Sequence, residues 1–458
     1  MTKERQYRNS STSKWWKLLR SAMTAPTVGI LLLSLVAQAR SQEEKAPKPP
    51  TYTVLYTFNG GADGAIPAGG DLILDPEGNL YGTTGWGGDL SCFRDNPPGC
   101  GVVFKVDKEG QQTVLHSFTG GADGILSFSG VVRDHAGNLY GNTCYGGSGG
   151  AGVVFKLELA GNETILYNFT GGADGGCPGY GMLRDDAGNL YATAGSGGDL
   201  SGCFGGGCGV VFKLDTAGNE TVLYSFTGGL DGGYPNDLVR DAEGTLYGTT
   251  ISGGDLSGCN GQGCGVVFKV DRVGKETVLY SFTGGADGAT PFAGVVQDDA
   301  GNLYGTTFGG GSDGSGVVFK LDRTGKETVL YNFSGGADGG FPAADLVRDD
   351  EGNLYSTTTG GGDVGCFGGG NQCGVVFMLD RNRKETVLYS FTGGADGGYN
   401  FDGLVRDAEG NLYGATGYGG DLKCNSTGYG CGVVYKITPH DDCKDSEKKG
   451  EILPSQSD

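Results

Sequence analysis

The stretch GVVFKLDTAGNETVLYSF, Gly209 to Phe226, decides the fold. An apolar run, Val210 to Leu214, meets a Thr-Ala-Gly-Asn turn, and a second run, Thr221 to Phe226, follows. β-branched and aromatic runs on either side of a Gly-containing turn read as a β-hairpin. Copies of its first strand begin at Gly101, Gly152, Gly209, Gly265, Gly316, Gly374 and Gly432, a spacing of 51 to 58 residues.

Each unit carries four apolar segments, a to d. In the third unit, strand a is Met182 to Asp185, then comes the turn Asp186-Ala187-Gly188-Asn189, and strand b is Leu190 to Ala194. A Gly-rich loop runs to Cys208, the hairpin supplies strands c and d, and GGLDGG, Gly228 to Gly233, leads to the next unit. The variation in length is confined to the b–c loop. Four short antiparallel strands make the blade of a β-propeller. A β-helix is the alternative, but the period is long for a solenoid coil and the array is circularly shifted. Thr53 to Phe58 is a lone strand d, and Val433 to Thr438 is a strand c with no d after it. Pairing the two completes a seventh blade and hides the sheet edges. The expected fold is an all-β, seven-bladed propeller over residues 51–438, closed by the N-terminal strand joining the C-terminal blade. The d–a and b–c loops then share one face, the top. The short a–b and c–d turns share the bottom.

Glycine supplies 94 of 458 residues without a collagen period, which suits many tight turns. A net charge of −20 argues against a nucleic-acid partner, which needs a basic face. It fits a soluble exported protein or a cation binder. Residues 1–39 read as a signal peptide: Lys14, Lys17 and Arg20 precede the apolar run Val28 to Ala37, and Ala37-Gln38-Ala39 is a cleavage pattern. The run is short for a bilayer span, so no membrane span is expected after cleavage before Arg40. An uncleaved anchor is the rival reading. Residues 40–50 are a linker, and 439–458 form a charged tail without pattern. The protein is expected to be secreted or on the cell surface, and monomeric.

The unit LVRDAEGNLYGTT…GGD…CGVVFKLD..G.ETVLYSFTGGADGG resembles the GloVer tandem-repeat family, the "choice-of-anchor" extracellular proteins, from about Thr51 to Thr438. The loop words GGADG and GNLYG recur in register with the strands. The resemblance implies export and a propeller-like repeat domain, and no established reaction. Members often end in a sorting anchor, and the tail DDCKDSEKKGEILPSQSD shows none. The strand words look more loosely like those of NHL and lactonase-type propellers.

Thirteen cysteines behind an export signal point to disulfides. Ten fall in local b–c loop pairs: Cys92 with Cys100, Cys203 with Cys208, Cys259 with Cys264, Cys366 with Cys373, and Cys424 with Cys431. The second member of each precedes the glycine of strand c. The two units without a pair have the shortest loops. Zinc is the alternative, but CxxC spacing is absent and only three histidines exist. Cys144 and Cys177 fall on the top of neighbouring blades and are expected to pair. Cys443 is left over in the tail.

The d–a loop repeats one acid, at Asp63, Asp123, Asp174, Asp231, Asp287, Asp338 and Asp396. These could form a calcium-binding ring on the top face. Equally they could cap Asx-turns, with no DxDxDG loop to favour calcium, and the turn reading takes precedence. A second acidic set, Asp89, Asp199, Asp255, Asp363 and Asp421, follows strand b. Just after strand b, Trp86, Tyr145 and Tyr418 break the symmetry, in three contiguous blades. Flat rings beside carboxylates suit sugar or peptide binding, so Trp86, Tyr145, Tyr418, Asp89 and Asp421 are the candidate ligand residues. A second aromatic group near strand a (Phe128, Tyr180, Tyr234, Phe292, Phe341, Tyr399, Phe401) reads as inter-blade packing. The arginines that end strand a read as surface charges paired with the Asp that follows. His116 takes the place of a strand-d tyrosine and reads as packing, His135 lies in a bottom turn, and His440 lies in the tail. They are not placed to make a Ser-His-Asp set or a metal site, and no catalytic set assembles from them. The primary reading is a secreted propeller that binds a glycan or an extracellular protein through its top loops. The alternatives are a metal-dependent hydrolase or lyase and a purely structural surface protein.

Overall fold

A computed structural model of the protein describes residues 49–67, 70–92, 97–179, 181–362, 366 and 373–439. The expected signal peptide, almost all of the linker and the tail with His440 and Cys443 lie outside the described residues.

Seven antiparallel sheets follow one another around a ring, each ordered a-b-c-d. In the third, Leu183–Arg184, Leu190–Ser196, Val210–Leu214 and Glu220–Ser225 are strands a to d, and the short strand Gly176–Pro178 also pairs with strand b. The ring closes as the shifted array requires: Thr51–Thr57 pairs antiparallel with Val433–Thr438, from Thr51 opposite Thr438 to Thr57 opposite Val433. Tyr52 on this strand stacks on Tyr389 of blade six at 3.9 Å, so the closing strand is also held sideways.

Strand c explains why the word VVF recurs. Val210, Phe212 and Leu214 pack with Phe169 and Met182 between blades two and three, while Val211 packs with Phe226 and Phe268 between blades three and four. Both faces of the strand are buried, so period-2 alternation gives way to a continuous apolar run. The strand-d phenylalanine of each blade meets the strand-c ring of the next edge-to-face. The seven centroid distances lie between 5.0 and 5.4 Å. The glycine before VVF has a steric cause. Gly209 has φ 92°, and a Cβ there would come 2.4 Å from the Ala194 carbonyl oxygen.

The a–b turns explain the word D-x-x-G-N-L-Y. Asp75 accepts from the backbone N–H groups of Glu77 and Asn79, from the Asn79 amide and from the Tyr81 hydroxyl, at 2.8–3.0 Å. Asp134, Asp185, Asp241, Asp349 and Asp407, which follow the strand-a arginines, accept from the backbone N–H four residues on in the same way and are turn caps. The arginines go elsewhere: Arg184, Arg240 and Arg406 lie over Tyr140, Tyr191 and Tyr355 of the preceding blade, 5.4–6.0 Å from the ring centroids. This corrects the expected Arg–Asp pairing.

Six disulfides form: Cys92–Cys100, Cys144–Cys177, Cys203–Cys208, Cys259–Cys264, Cys366–Cys373 and Cys424–Cys431. They point to an oxidising, extracytoplasmic compartment. No helix among the described residues is long and apolar enough to cross a membrane.

Candidate binding site at the propeller axis

The residue just before the apolar start of strand a sits nearest the axis. Around the ring it is Asp71, Gly130, Gly181, Asp237, Gly294, Asp345 and Gly403. The carboxyls occupy the space that the glycines leave. A Cβ on Gly181 would fall 2.0 Å from Asp237 Oδ1, and one on Gly403 would fall 2.5 Å from Asp71 Oδ1. The same glycines supply donors: Gly403 N–H donates to Asp71 Oδ1 at 2.6 Å, and Gly294 N–H to Asp345 Oδ1 at 2.6 Å. Asp402, itself buried, accepts from Gly70 N–H at 3.1 Å.

Asp71, Asp237 and Asp345 line one cavity of about 640 Å³. All three are half-buried. Loss of hydration, reinforced by the charges of Asp345 and Asp402, holds the Asp71 carboxyl well above the usual carboxylate range. Asp237 is raised by burial and then by Asp345. Asp345 is raised by burial, against hydrogen bonds from Asp237 and the Gly294 N–H that pull it down. Carboxyls raised in this way take up protons more readily than free ones, and a protonated one can donate as well as accept.

Aromatic rings complete the wall. Trp86, Tyr145 and Tyr418 all line the cavity, and Tyr145 is 50% exposed. So do Phe128, Tyr234, Phe292 and Phe401. Four members of the second aromatic group thus face the cavity as well as packing against their neighbours. Trp86 leans on Phe128 at 5.8 Å, and Tyr418 lies between Tyr399 at 5.5 Å and Tyr429 at 5.8 Å. Phe341 packs at the rim against Phe308. Tyr180 lies outside the described residues.

The loops that carry these rings are latched to the preceding blade. Ile66, Leu126, Cys177, Tyr234, Thr290, Phe341 and Tyr399 hold the same place in the seven d–a loops, and all have φ between 48° and 61°. A side chain in this left-handed region costs roughly 1–2 kcal/mol, and glycine would avoid it. The N–H of each donates to the carbonyl just before a strand-c glycine. Tyr234 reaches Cys208 at 2.8 Å, Thr290 reaches Cys264 at 2.7 Å, and Ile66 reaches Cys431 at 2.9 Å. In five of the seven blades that carbonyl belongs to the second cysteine of the local disulfide pair. The bridges therefore brace the lining loop of the next blade as well as their own.

The remaining candidate residues do not enter the cavity. Asp89 is exposed and accepts from Ser91 N–H at 2.9 Å and the Ser91 hydroxyl at 2.7 Å, and Asp421 accepts from Lys423 N–H at 2.9 Å. Asp363 lies outside the described residues. Six of the d–a loop acids, Asp63, Asp174, Asp231, Asp287, Asp338 and Asp396, each accept the hydroxyl of their own strand-d tyrosine at 2.9–3.2 Å. Asp123 accepts from Thr119, and its blade has His116 in place of the tyrosine. These acids close turns at the outer rim, one to each blade, and are not gathered round the axis.

A family model described as the Gloeobacter/Verrucomicrobia repeat matches residues 45–261 and 256–446. No curated protein matches the chain. Among solved structures, the chain is similar to the extracellular domain of BT4673 from B. thetaiotaomicron. In one structure the identity is 13% and the TM-score 0.48, over 86% of this chain and 43% of that one. In another the identity is 14% and the TM-score 0.45, over 81% and 39%. It is also similar to the gluconolactonase XC5397 from Xanthomonas campestris, at 12% identity and TM-score 0.41, over 86% of this chain and 90% of that one. The chain thus spans about two fifths of the BT4673 domains.

Proposed function

The chain belongs to the Gloeobacter/Verrucomicrobia repeat family, and from the cavity at its axis we propose that it is an exported binding module for a saccharide. The observation that carries this is the joint lining: Asp71, Asp237 and Asp345 beside Trp86, Tyr145 and Tyr418. Aromatic faces take the C–H faces of a sugar ring, while carboxyls and carboxylates exchange hydrogen bonds with its hydroxyls. The volume lies within the range of about 300–1,000 Å³ usual for small-molecule sites. A sugar unit at the end of a larger extracellular glycan would enter from the top, where the lining loops lie. Export rests on the leader pattern and the six disulfides. A glycan array probed with the mature chain tests the reading. Retention of a saccharide class by the wild type, and its loss in Trp86→Ala and Tyr418→Ala, supports it. Unchanged retention by both variants counts against it.

The raised pKa values of these carboxyls favour a second reading, acid–base chemistry on the bound ligand. Turnover of a retained glycan by the wild type but not by Asp237→Asn would select it.

A further inference from the structure

Blade one breaks the repeat at an outer position of strand d. The strand-d tyrosine of the other six blades donates to the d–a loop acid at 2.9–3.2 Å. His116 replaces it, and its Nε2 stands 3.5 Å from Asp123 Oδ2, without a hydrogen-bond partner. From the next blade, Glu163 brings Oε1 to 3.7 Å from the same nitrogen, and that oxygen too is buried and unpartnered. The three ligand atoms lie within 4.8 Å of one another, the one such group of three found among the described residues. Ligands about 2.0–2.2 Å from a tetrahedral zinc are about 3.3–3.6 Å apart. His116 and the two acids are therefore close to the spacing of a bound ion.

We propose that His116, Asp123 and Glu163 form a binding site for a first-row divalent metal, with zinc as the reference ion, clamping blade one to blade two. Imidazole with two carboxylates suits zinc, copper or nickel better than calcium, which takes six to eight oxygens. Three protein ligands leave a fourth position for water. Asp123 is already oriented, since Thr119 donates to it through its backbone N–H and its hydroxyl, both at 2.7 Å. The site lies at the outer rim and does not depend on the saccharide reading.

Zinc titration of the chelator-stripped protein by calorimetry at pH 7.5, beside His116→Tyr and Glu163→Gln, tests this. His116→Tyr installs the residue of the other six blades, so a folding failure is not expected, and circular dichroism checks it. The expected result is one zinc per wild-type chain, a rise in Tm with zinc, and loss of both in His116→Tyr. Glu163→Gln is expected to weaken binding. Cobalt substitution should give the visible absorption of a low-coordinate site in the wild type alone. Equal zinc binding by wild type and His116→Tyr, or none by either, overturns the proposal.

Discussion

Asp71 Oδ1 accepts a hydrogen bond from the backbone N–H of Gly403 at 2.6 Å, across 332 residues of sequence. The bond joins blade one to blade seven at the axis, where the ring closes. It also fixes one of the carboxyls that face the cavity. Closure of the fold and construction of the site thus share a residue.

Asp71→Asn tests the cost of that sharing. An asparagine oxygen can still accept from Gly403, but it carries no charge. Because the folded-state pKa of Asp71 is raised, its favourable contribution belongs to the protonated form and is lost as pH rises through that pKa. At pH 8 the variant is expected to unfold a few degrees higher than the wild type, on the order of 1 kcal/mol, and to bind saccharide more weakly. Differential scanning calorimetry at pH 5 and pH 8 measures the first effect. Its sign should fade at pH 5.

Four outer glutamates give a second pH effect. Burial, then a neighbouring loop acid, raises Glu220, Glu276, Glu327 and Glu385 to about 7. A raised carboxyl pKa stabilises the fold fully below the unfolded value near 4.5, and the contribution drains away as pH climbs to about 7. The Gln112 amide shows the neutral alternative, donating to the Asp63 carbonyl at 3.0 Å. Changing Glu220, Glu276 and Glu327 together to Gln should flatten the fall in Tm between pH 5 and pH 8. An unchanged slope would refute the assignment.

The disulfides should differ in worth. Loop-closure entropy gives about 2 kcal/mol for the Cys203–Cys208 bridge, with a sequence separation of 5, and about 4 kcal/mol for Cys144–Cys177, with a separation of 33. Paired Cys→Ser variants in urea denaturation are expected to show that order. The Cys203/Cys208 variant should also loosen the Tyr234 loop, whose N–H is held by the Cys208 carbonyl, and hydrogen exchange at Tyr234 would report it.

Tyr52 carries the seam. It stacks on Tyr389 at 3.9 Å and meets Tyr435 at 5.4 Å and Phe391 at 5.8 Å. Tyr52→Ala should cost about 3–5 kcal/mol, as large aromatic truncations in cores do. Denaturant midpoints of this variant and Tyr145→Ala compare the seam with an exposed ring, where little change is expected.

The scaffold was legible because its constraints repeat. Five copies of GVVFK with the variants GVVFM and GVVYK, and six copies of D-x-x-G-N-L-Y with the variant DAEGTLY, report the same buried strand and the same capped turn, and the orphan strand Thr51–Thr57 reports the closure. The disulfide pairs were legible from their place before strand c. The site was only half legible. Trp86, Tyr145 and Tyr418 stand out against serine and glycine at their position. Asp71, Asp237 and Asp345 did not, because a carboxylate alternating with glycine before strand a looks like loop chemistry until the ring brings that position to the axis. The signal was present as one column of the repeat, read D-G-G-D-G-D-G. The seven left-handed residues of the d–a loops were hidden for another reason. Isoleucine, tyrosine and phenylalanine are not turn signals, so sequence gives no warning that backbone strain holds them.

Trp86 is the single tryptophan after the expected cleavage site, and it lines the cavity. Its fluorescence during titration of the mature chain with the saccharides retained on the array is the most direct test of the axial site. The expected result is a saturable change with wild type that Asp345→Asn and Tyr418→Ala weaken at least tenfold. Saccharide binding that leaves Trp86 unchanged and survives both substitutions would contradict it.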